Sequence, residues 1–501
     1  MKRNIIANIG GQAGSILISL VVFPFYINLM GMEGYGLVGF YFTLQAIFNS
    51  FLDLGISVTI TREIARFSAL PDKLNETRDL VRTLEIVYWL IGVFLGLAVM
   101  LGASWIAYHW LRAENMSPES VRQAVIAMGI ATVFQWPLTF YQGGLVGLQK
   151  MVVMNVAFIG FTILRSVGAV LALRWVSPTV LVFFGWQIIA FACQVFFFAI
   201  LLWRNLPASD HIPRFDKNVF VGIRRFMVGI SATSFVTFFI STIDRIILSK
   251  ILTLEFLGYY NLAATISANF QYLGSQIMRA LFPTFSALAA KNDGKNLRER
   301  YHQSAQMISV AILPATVIFA LFSPQLIYVW TQNSSTAMHT APILSVLLIG
   351  TAINVLMNAP YYLTLAYGWT SLGFFMNLAL SFLIAPLMIG LSLKWGGLGA
   401  AFAWSILNIG YLIVVPRIVH HRLLKGELKR WYVLDVGLPL TTSLIVAGIG
   451  RWIMPVDLSI ASTIFGIFLV ACITQGVAIL FTPESRKWLL QRVGVGSSGS
   501  I

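Results

Sequence analysis

Three arginines, Arg165, Arg245 and Arg279, stand inside long apolar runs of this chain. A charged group at membrane depth costs about 2.5–3.5 kcal/mol on insertion scales, so each needs a reason. Guanidinium pairs bidentately with phosphate oxygens, and fixed cations in a cavity suit an anionic passenger. Arg165 falls about 18 Å into its run by helix rise, near mid-membrane. Arg245 lies toward the outer end of its run and Arg279 toward the inner end of the next. Buried ion pairs are the alternative, with Asp53 and Asp244 as partners. Those two carboxylates could also bind or titrate a coupling ion, whereas Glu85 reads as an interfacial charge.

Polar residues at i, i+3, i+4 spacing mark helix faces turned to protein or water. Asn8 and Gln12 share one face, and Gln45 and Asn49 another, ending at Asp53. Asn261, Asn269, Tyr272 and Gln276 make the cleanest stripe, completed by Arg279. Gln135 and Asn358 add further polar positions beside prolines. The richest stripes fall on equivalent helices of two sequence halves, which predicts a central hydrated cavity lined by these side chains. Interhelical hydrogen bonding is the competing reading of any one stripe. The small-residue pairs Gly10/Gly14, Gly92/Gly96 and Gly143/Gly147 read as close helix packing.

Catalytic signatures are missing. No GxxxxGK[ST], HExxH, GxSxG or paired-cysteine pattern occurs, so no catalytic residue, metal site or cofactor is expected. The histidines read as loop or span-end residues, His420-His421 belonging to a basic face with Arg417 and Arg422. The two cysteines, Cys193 and Cys472, both lie inside apolar runs and suggest no disulfide framework or metal spacing.

The elements that must carry these groups follow from composition. The 501 residues are 58% hydrophobic and 11% charged, where a soluble domain has roughly 25% charged residues. Apolar runs of about 20 residues recur throughout, each able to cross ~30 Å of hydrocarbon as a helix. The fold class is therefore all-α integral membrane, with about fourteen spans, at 5–30, 36–60, 84–110, 121–147, 153–173, 178–203, 219–249, 256–281, 302–330, 340–366, 370–393, 397–416, 433–453 and 459–481. The first run is too long for a cleaved signal and reads as a span.

Most of the 34 Lys and Arg then fall on one side, including Lys2, Arg62, Lys150, Arg214, Lys295, Arg417, Lys425 and Arg486. That side is expected to be the cytoplasm, with both termini there. The net charge of +15 is explained by this orientation, and nucleic acid is not expected as a partner. Residues 1–203 form an expected first lobe, 204–218 a cytoplasmic linker, 219–417 a second lobe, 418–481 spans 13 and 14, and 482–501 a tail.

An internal repeat supports the two lobes. Gly34-Tyr35-Gly36 and Gly258-Tyr259-Tyr260, Pro137 and Pro360, and Met154-Asn155 and Met376-Asn377 recur in order, 222–224 residues apart. Two six-helix lobes of equal orientation make a parallel repeat of the transporter kind, with spans 13 and 14 as an addition.

The run from Pro24 to Gly36, with Asp53-Leu54-Gly55 and Thr61-Arg62-Glu63-Ile64-Ala65-Arg66, resembles the amino-terminal signature of the polysaccharide transporter family. That family includes Wzx-type O-antigen flippases and shares a superfamily with MATE exporters. Asp244-Arg245, Leu257-Gly258-Tyr259-Tyr260 and Leu281-Phe282-Pro283 resemble its second-half signature, and Gly147-Leu148-Gln149-Lys150 its span 4–5 turn. The resemblance implies a passenger, an oligosaccharide repeat unit on undecaprenyl pyrophosphate, flipped across the bacterial inner membrane by alternating access. It implies coupling to an H+ or Na+ gradient and membrane lipids as surroundings. A polymerase and a chain-length regulator of the same pathway are expected partners. By analogy Arg165, Arg245 and Arg279 meet pyrophosphate or acidic sugars, and spans 13 and 14 form a groove for the prenyl tail. A MATE-like exporter, a lipid II flippase and a membrane enzyme of the pathway are the competing readings. Buried cations and the two extra spans argue against the first, motif differences against the second, and poor outer loops against the third.

Overall fold

The chain's structure, a computed structural model, describes residues 2–52, 60–64, 74–207, 211–217, 242–455 and 459–487. Asp53 and most of span 7 lie outside the described residues, as do the side chains of Asn8 and Gln12. Regular structure among the described residues is helical, apart from one isolated bridge between Arg112 and Thr253. Helix is the form that lets each segment satisfy its own amides in lipid. Ten of these helices are long and apolar enough to cross a membrane.

Two helices are too long for one crossing. Lys2–Leu52 has 51 residues, about 76 Å if straight, and is broken where Gly31 takes φ 75°. Thr370–Leu423 is broken at Trp395 and at Gly396, with φ 55°. Past that break a Cβ on Gly399 would stand 2.8 Å from Ser392 N. Residues seven apart in a straight helix are about 10 Å apart, so the chain reverses here. Gly31 pairs φ 75° with ψ 168° and Gly396 pairs φ 55° with ψ −135°, combinations essentially confined to glycine, which is why both breaks carry one. Spans 1 and 2, and 11 and 12, are thus each merged into one helical run. The Leu254–Ala290 helix, covering span 8, is not among the ten: Asn261, Asn269, Gln271 and Gln276 keep it too polar. Ten helices are what the described residues establish, against the fourteen spans expected.

Prolines break spans 4 and 10 where the repeat places them. One helix ends at Gln135 and the next begins at Pro137; another ends at Leu356 and the next begins at Asn358. Pro137 sits in a first turn, where a missing N–H costs nothing. Short loops are set by side-chain caps. Ser117 accepts from Ser120 N, Thr179 from Val182 N, Asn333 from Thr336 N and Ser459 from Ser462 N. Asp293 caps the Gly294–Leu321 helix, and the Asn296 side chain and backbone hold its carboxyl below the usual range.

The residues form two compact units, Met1–Gly258 and Tyr259–Ile501. In the first, the Leu74–Trp105 and Pro118–Gln135 helices meet glycine to glycine. A Cβ on Gly96 would lie 2.7 Å from Gly129 O, and one on Gly129 2.8 Å from Gly96 O. Tyr88 stacks on Trp136 nearby, centroids 5.8 Å apart. Residues 242–258 group with this unit: Trp110 Nε1 donates to Ser249 Oγ at 3.0 Å, and Leu254 N to Arg112 O at 2.8 Å. In the second unit, Trp431, Tyr301, Phe285 and Leu363 share a core beneath the Gly294–Leu321 helix. The two C-terminal helices, Leu428–Ile453 and Ile460–Phe481, pack on that helix, where Gln475 Nε2 donates to Val310 O at 3.0 Å.

Candidate functional site

The Met151–Trp175 helix places Arg165 in an aromatic niche of the first unit. Its guanidinium carbon stands 4.8 Å from the Phe191 ring centroid, and Tyr26 and Tyr41 are close enough to interact with its charge. Both tyrosines are held. Tyr26 Oη donates to Ser166 O at 3.1 Å and packs edge-on against Phe183; Tyr41 Oη donates to Gln135 Oε1 and packs edge-on against Phe184. Among the described residues no carboxylate pairs with Arg165, which is half-buried. A guanidinium over a ring face at this depth is partly compensated by cation–π attraction and keeps its fork for another anion.

The other expected residues divide between the units. Arg245 is half-buried in the first, and its Nε is enclosed without a hydrogen-bond partner. Asp244 is its half-buried chain neighbour. Arg279 is exposed on the Leu254–Ala290 helix of the second unit, with no ion pair among the described residues.

Several polar stripe residues bond across helices. Gln45 Nε2 donates to Thr132 Oγ1 at 2.8 Å, and Gln135 receives Tyr41. Gln45 Oε1 is left buried and unpartnered. The second unit repeats the theme: Gln271 Nε2 donates to Asn354 Oδ1 at 2.7 Å, and Asn354 Nδ2 to Asn408 Oδ1 at 2.8 Å. Thus one glutamine of span 2 reaches span 4, and one of span 8 reaches span 10. Asn49 is exposed and Asn358 half-buried; each bonds a carbonyl of its own chain segment, Gln45 O and Val355 O. Asn269, Tyr272 and Gln276 are half-buried. Asn261 is buried with both amide atoms unpaired, which is costly unless something polar reaches it.

Two clusters were not legible as sites. Glu85, expected at an interface, is buried and accepts from Tyr141 Oη at 2.7 Å, Trp203 Nε1 at 3.1 Å and Arg82 at 2.9 Å. A fully satisfied carboxylate of this kind fastens three helices together. His302, expected at a span end, is buried against Asp435 and Glu427, with Gln306 donating to Asp435 at 2.8 Å. The signal available was Asp435 itself, an acid inside a span.

Ten helices long and apolar enough to cross a membrane define a multi-pass membrane protein. The family model described as "Polysaccharide biosynthesis protein" matches residues 1–289, and the chain belongs to that family. It is 22% identical over 414 residues to a Shigella flexneri protein named "Putative O-antigen transporter", covering 81% of this chain and 94% of that one. Among solved structures it resembles "Lipid II flippase MurJ, inward closed conformation", with TM-score 0.65, 15% identity and coverage of 98% of this chain and 100% of that one. It also resembles an inward-facing multidrug resistance MATE family transporter of the MOP superfamily, with TM-score 0.62, 14% identity and coverage of 83% and 96%. These relatives are transporters and a flippase, and the chain is a membrane transporter rather than an enzyme.

Proposed function

We propose that this protein is a flippase that moves undecaprenyl-pyrophosphate-linked oligosaccharide repeat units across the bacterial inner membrane, for O-antigen or exopolysaccharide synthesis. The observation that carries the reading is Arg165: a guanidinium at membrane depth, framed by Tyr26, Tyr41 and Phe191, with no carboxylate partner among the described residues. A pyrophosphate supplies the missing anion, and aromatic faces suit sugar rings. Arg245 and Arg279 are proposed as further anion contacts. Asn8, Gln12, Gln45, Asn49, Gln135, Asn261, Asn269, Tyr272, Gln276 and Asn358 are proposed to line the substrate path, Asn261 with the best claim because its amide is unspent. Alternating access driven by an H+ or Na+ gradient, with Asp53 and Asp244 as coupling groups, completes the proposal. So do cytoplasmic termini and a polymerase and chain-length regulator as partners.

A lipid II flippase is the second reading. The likeness to the MurJ structure extends over spans 13 and 14, whereas the MATE likeness covers 83% of the chain. Deletion of the gene, followed by assay of lipid-linked oligosaccharide on each face of the inner membrane, tests both. Cytoplasmic-side accumulation with loss of surface polymer supports the first reading. Accumulation of lipid II supports the second. Unchanged polymer with new sensitivity to cationic drugs defeats both in favour of an exporter.

A further inference from the structure

A second cationic site lies wholly within the second unit, at the charged end of the Thr370–Leu423 helix. A cavity of about 720 Å³ is lined by Trp369, Arg417, Ile418, His421, Arg422 and Lys425. Arg417 and His421 stand one turn apart on the last turns of the helix, Arg422 follows His421, and Lys425 lies just past the helix end at Leu423. Trp369 comes from the preceding turn, which is fixed by Gly368 at φ 70° and by Trp369 N donating to Thr364 O at 2.9 Å. Its indole lies under Arg422, whose guanidinium carbon is 4.2 Å from the ring centroid. A stacked guanidinium has lost much of its rotamer freedom before any ligand arrives.

Basic residues on one side of a membrane protein are ordinary. Three features set this group apart. They converge on one cavity, one of them is held by an aromatic platform, and none pairs with a carboxylate among the described residues. The acid next along the chain, Glu427, is engaged by His302 at 3.2 Å and Arg298 at 3.8 Å. Three permanent cations and an imidazole donor around one space suit the charge and acceptor oxygens of a phosphate or diphosphate group. Ile418 and the Trp369 indole on the cavity wall offer apolar surface where a lipid headgroup would bring its chains.

We propose that this cavity binds a phosphate or diphosphate group, carried on an anionic lipid or free. The proposal does not rest on the flippase reading, since the site is distinct from Arg165 and the test reads binding alone. The full chain in detergent is titrated with phosphatidylglycerol and with phosphatidylcholine under native mass spectrometry, with inorganic pyrophosphate as competitor. Wild type is expected to retain phosphatidylglycerol over phosphatidylcholine, and the double variant R417Q/R422Q to lose about tenfold in that retention, the scale of losing surface charge contacts. Arg300→Gln, another exposed cation, bonded to Gln303 at 2.7 Å, is expected to bind as wild type does. Displacement by pyrophosphate shows that the phosphate group alone is read; lipid binding without displacement shows that the chains are needed. Either supports the site. Equal binding by R417Q/R422Q and wild type, or an equal loss in R300Q, overturns it. If the double variant melts below wild type, K425Q and H421Q at the rim replace it, with the same criteria.

Discussion

His302 Nδ1 meets Asp435 Oδ2 with both side chains fully buried, tying the Gly294–Leu321 helix to the Leu428–Ile453 helix. Gln306 donates to the other carboxylate oxygen at 2.8 Å, and its own Oε1 receives Glu484 N at 2.8 Å, just past the Ile460–Phe481 helix. One helix turn of span 9 therefore holds both C-terminal helices. Asp435→Ala strips two buried donors of their acceptor, a change of about 3–5 kcal/mol where a buried pair is broken. The expected result is a clear drop in melting temperature in detergent, with Asp435→Asn intermediate. An unaltered melt for Asp435→Ala would show that the contact adds nothing.

Arg165→Ala is expected to fold at least as well as wild type, because it removes an insertion penalty of about 2.5–3.5 kcal/mol. Transport should nevertheless fall about tenfold or more, as for loss of a charge-assisted phosphate contact, and Arg165→Lys should recover part of it. Complementation of surface polymer in a deletion strain, normalised to protein abundance, checks this. Full complementation by the alanine variant would remove Arg165 from the substrate path.

Gln45 and Gln271 separate hydrogen-bond glue from cavity lining. Each bridges two helices within its unit. If that is their whole role, Gln45→Leu and Gln271→Leu each cost about 0.6 kcal/mol of stability, the average for membrane interhelical bonds, and leave transport intact. Loss of transport at normal stability in either variant assigns that glutamine to the passenger.

Gly96 and Gly129 face each other's carbonyl oxygens, at 2.7 and 2.8 Å from an added Cβ. Neither helix backbone can yield as a flexible side chain would. Gly96→Leu and Gly129→Leu are expected to destabilise by at least about 1–3 kcal/mol, the range for overpacking. Size-exclusion profiles should show loss of monodisperse protein. Gly185, where an added Cβ would meet nothing within 4 Å, serves as the tolerant control.

Glu33 is buried just after the Gly31 break and accepts from Glu114 N at 2.7 Å and Asn115 N at 3.0 Å. Glu33→Ala leaves those amides without their acceptor, at about 1–3 kcal/mol. Hydrogen exchange confined to residues 111–117 should accelerate. Unchanged protection there would mean that water or another acceptor replaces the carboxylate.

Much of the architecture was legible because the bilayer imposes it. Apolar runs of a set length and proline breaks at Pro137 and Pro360 are local features, and the structure keeps them. The helix breaks at Gly31 and Gly396 fall between expected spans. Arg165 was legible for the same reason: a cation in an apolar run is conspicuous. Glu85 and His302 were not, because a charge near a span end looks interfacial until a distant helix closes over it. Their partners, Tyr141 and Trp203 for the one and Asp435 for the other, are 56 to 133 residues away.

The sequence by itself determined that this chain spans a membrane as helices, that its halves repeat, and that it carries arginines where lipid penalises them. Those properties depend on composition and on spacing along the chain. Tertiary structure alone decided which polar groups are spent on one another. Gln45 meets Thr132 and Asp435 meets His302, while Arg165 lies over the Phe191 ring with no carboxylate partner among the described residues. It also gathered Trp369 and Arg417 to Lys425 around one cavity. Hydrogen bonding and charge pairing act over a few ångströms, and only the packed fold brings residues from separate helices within that reach.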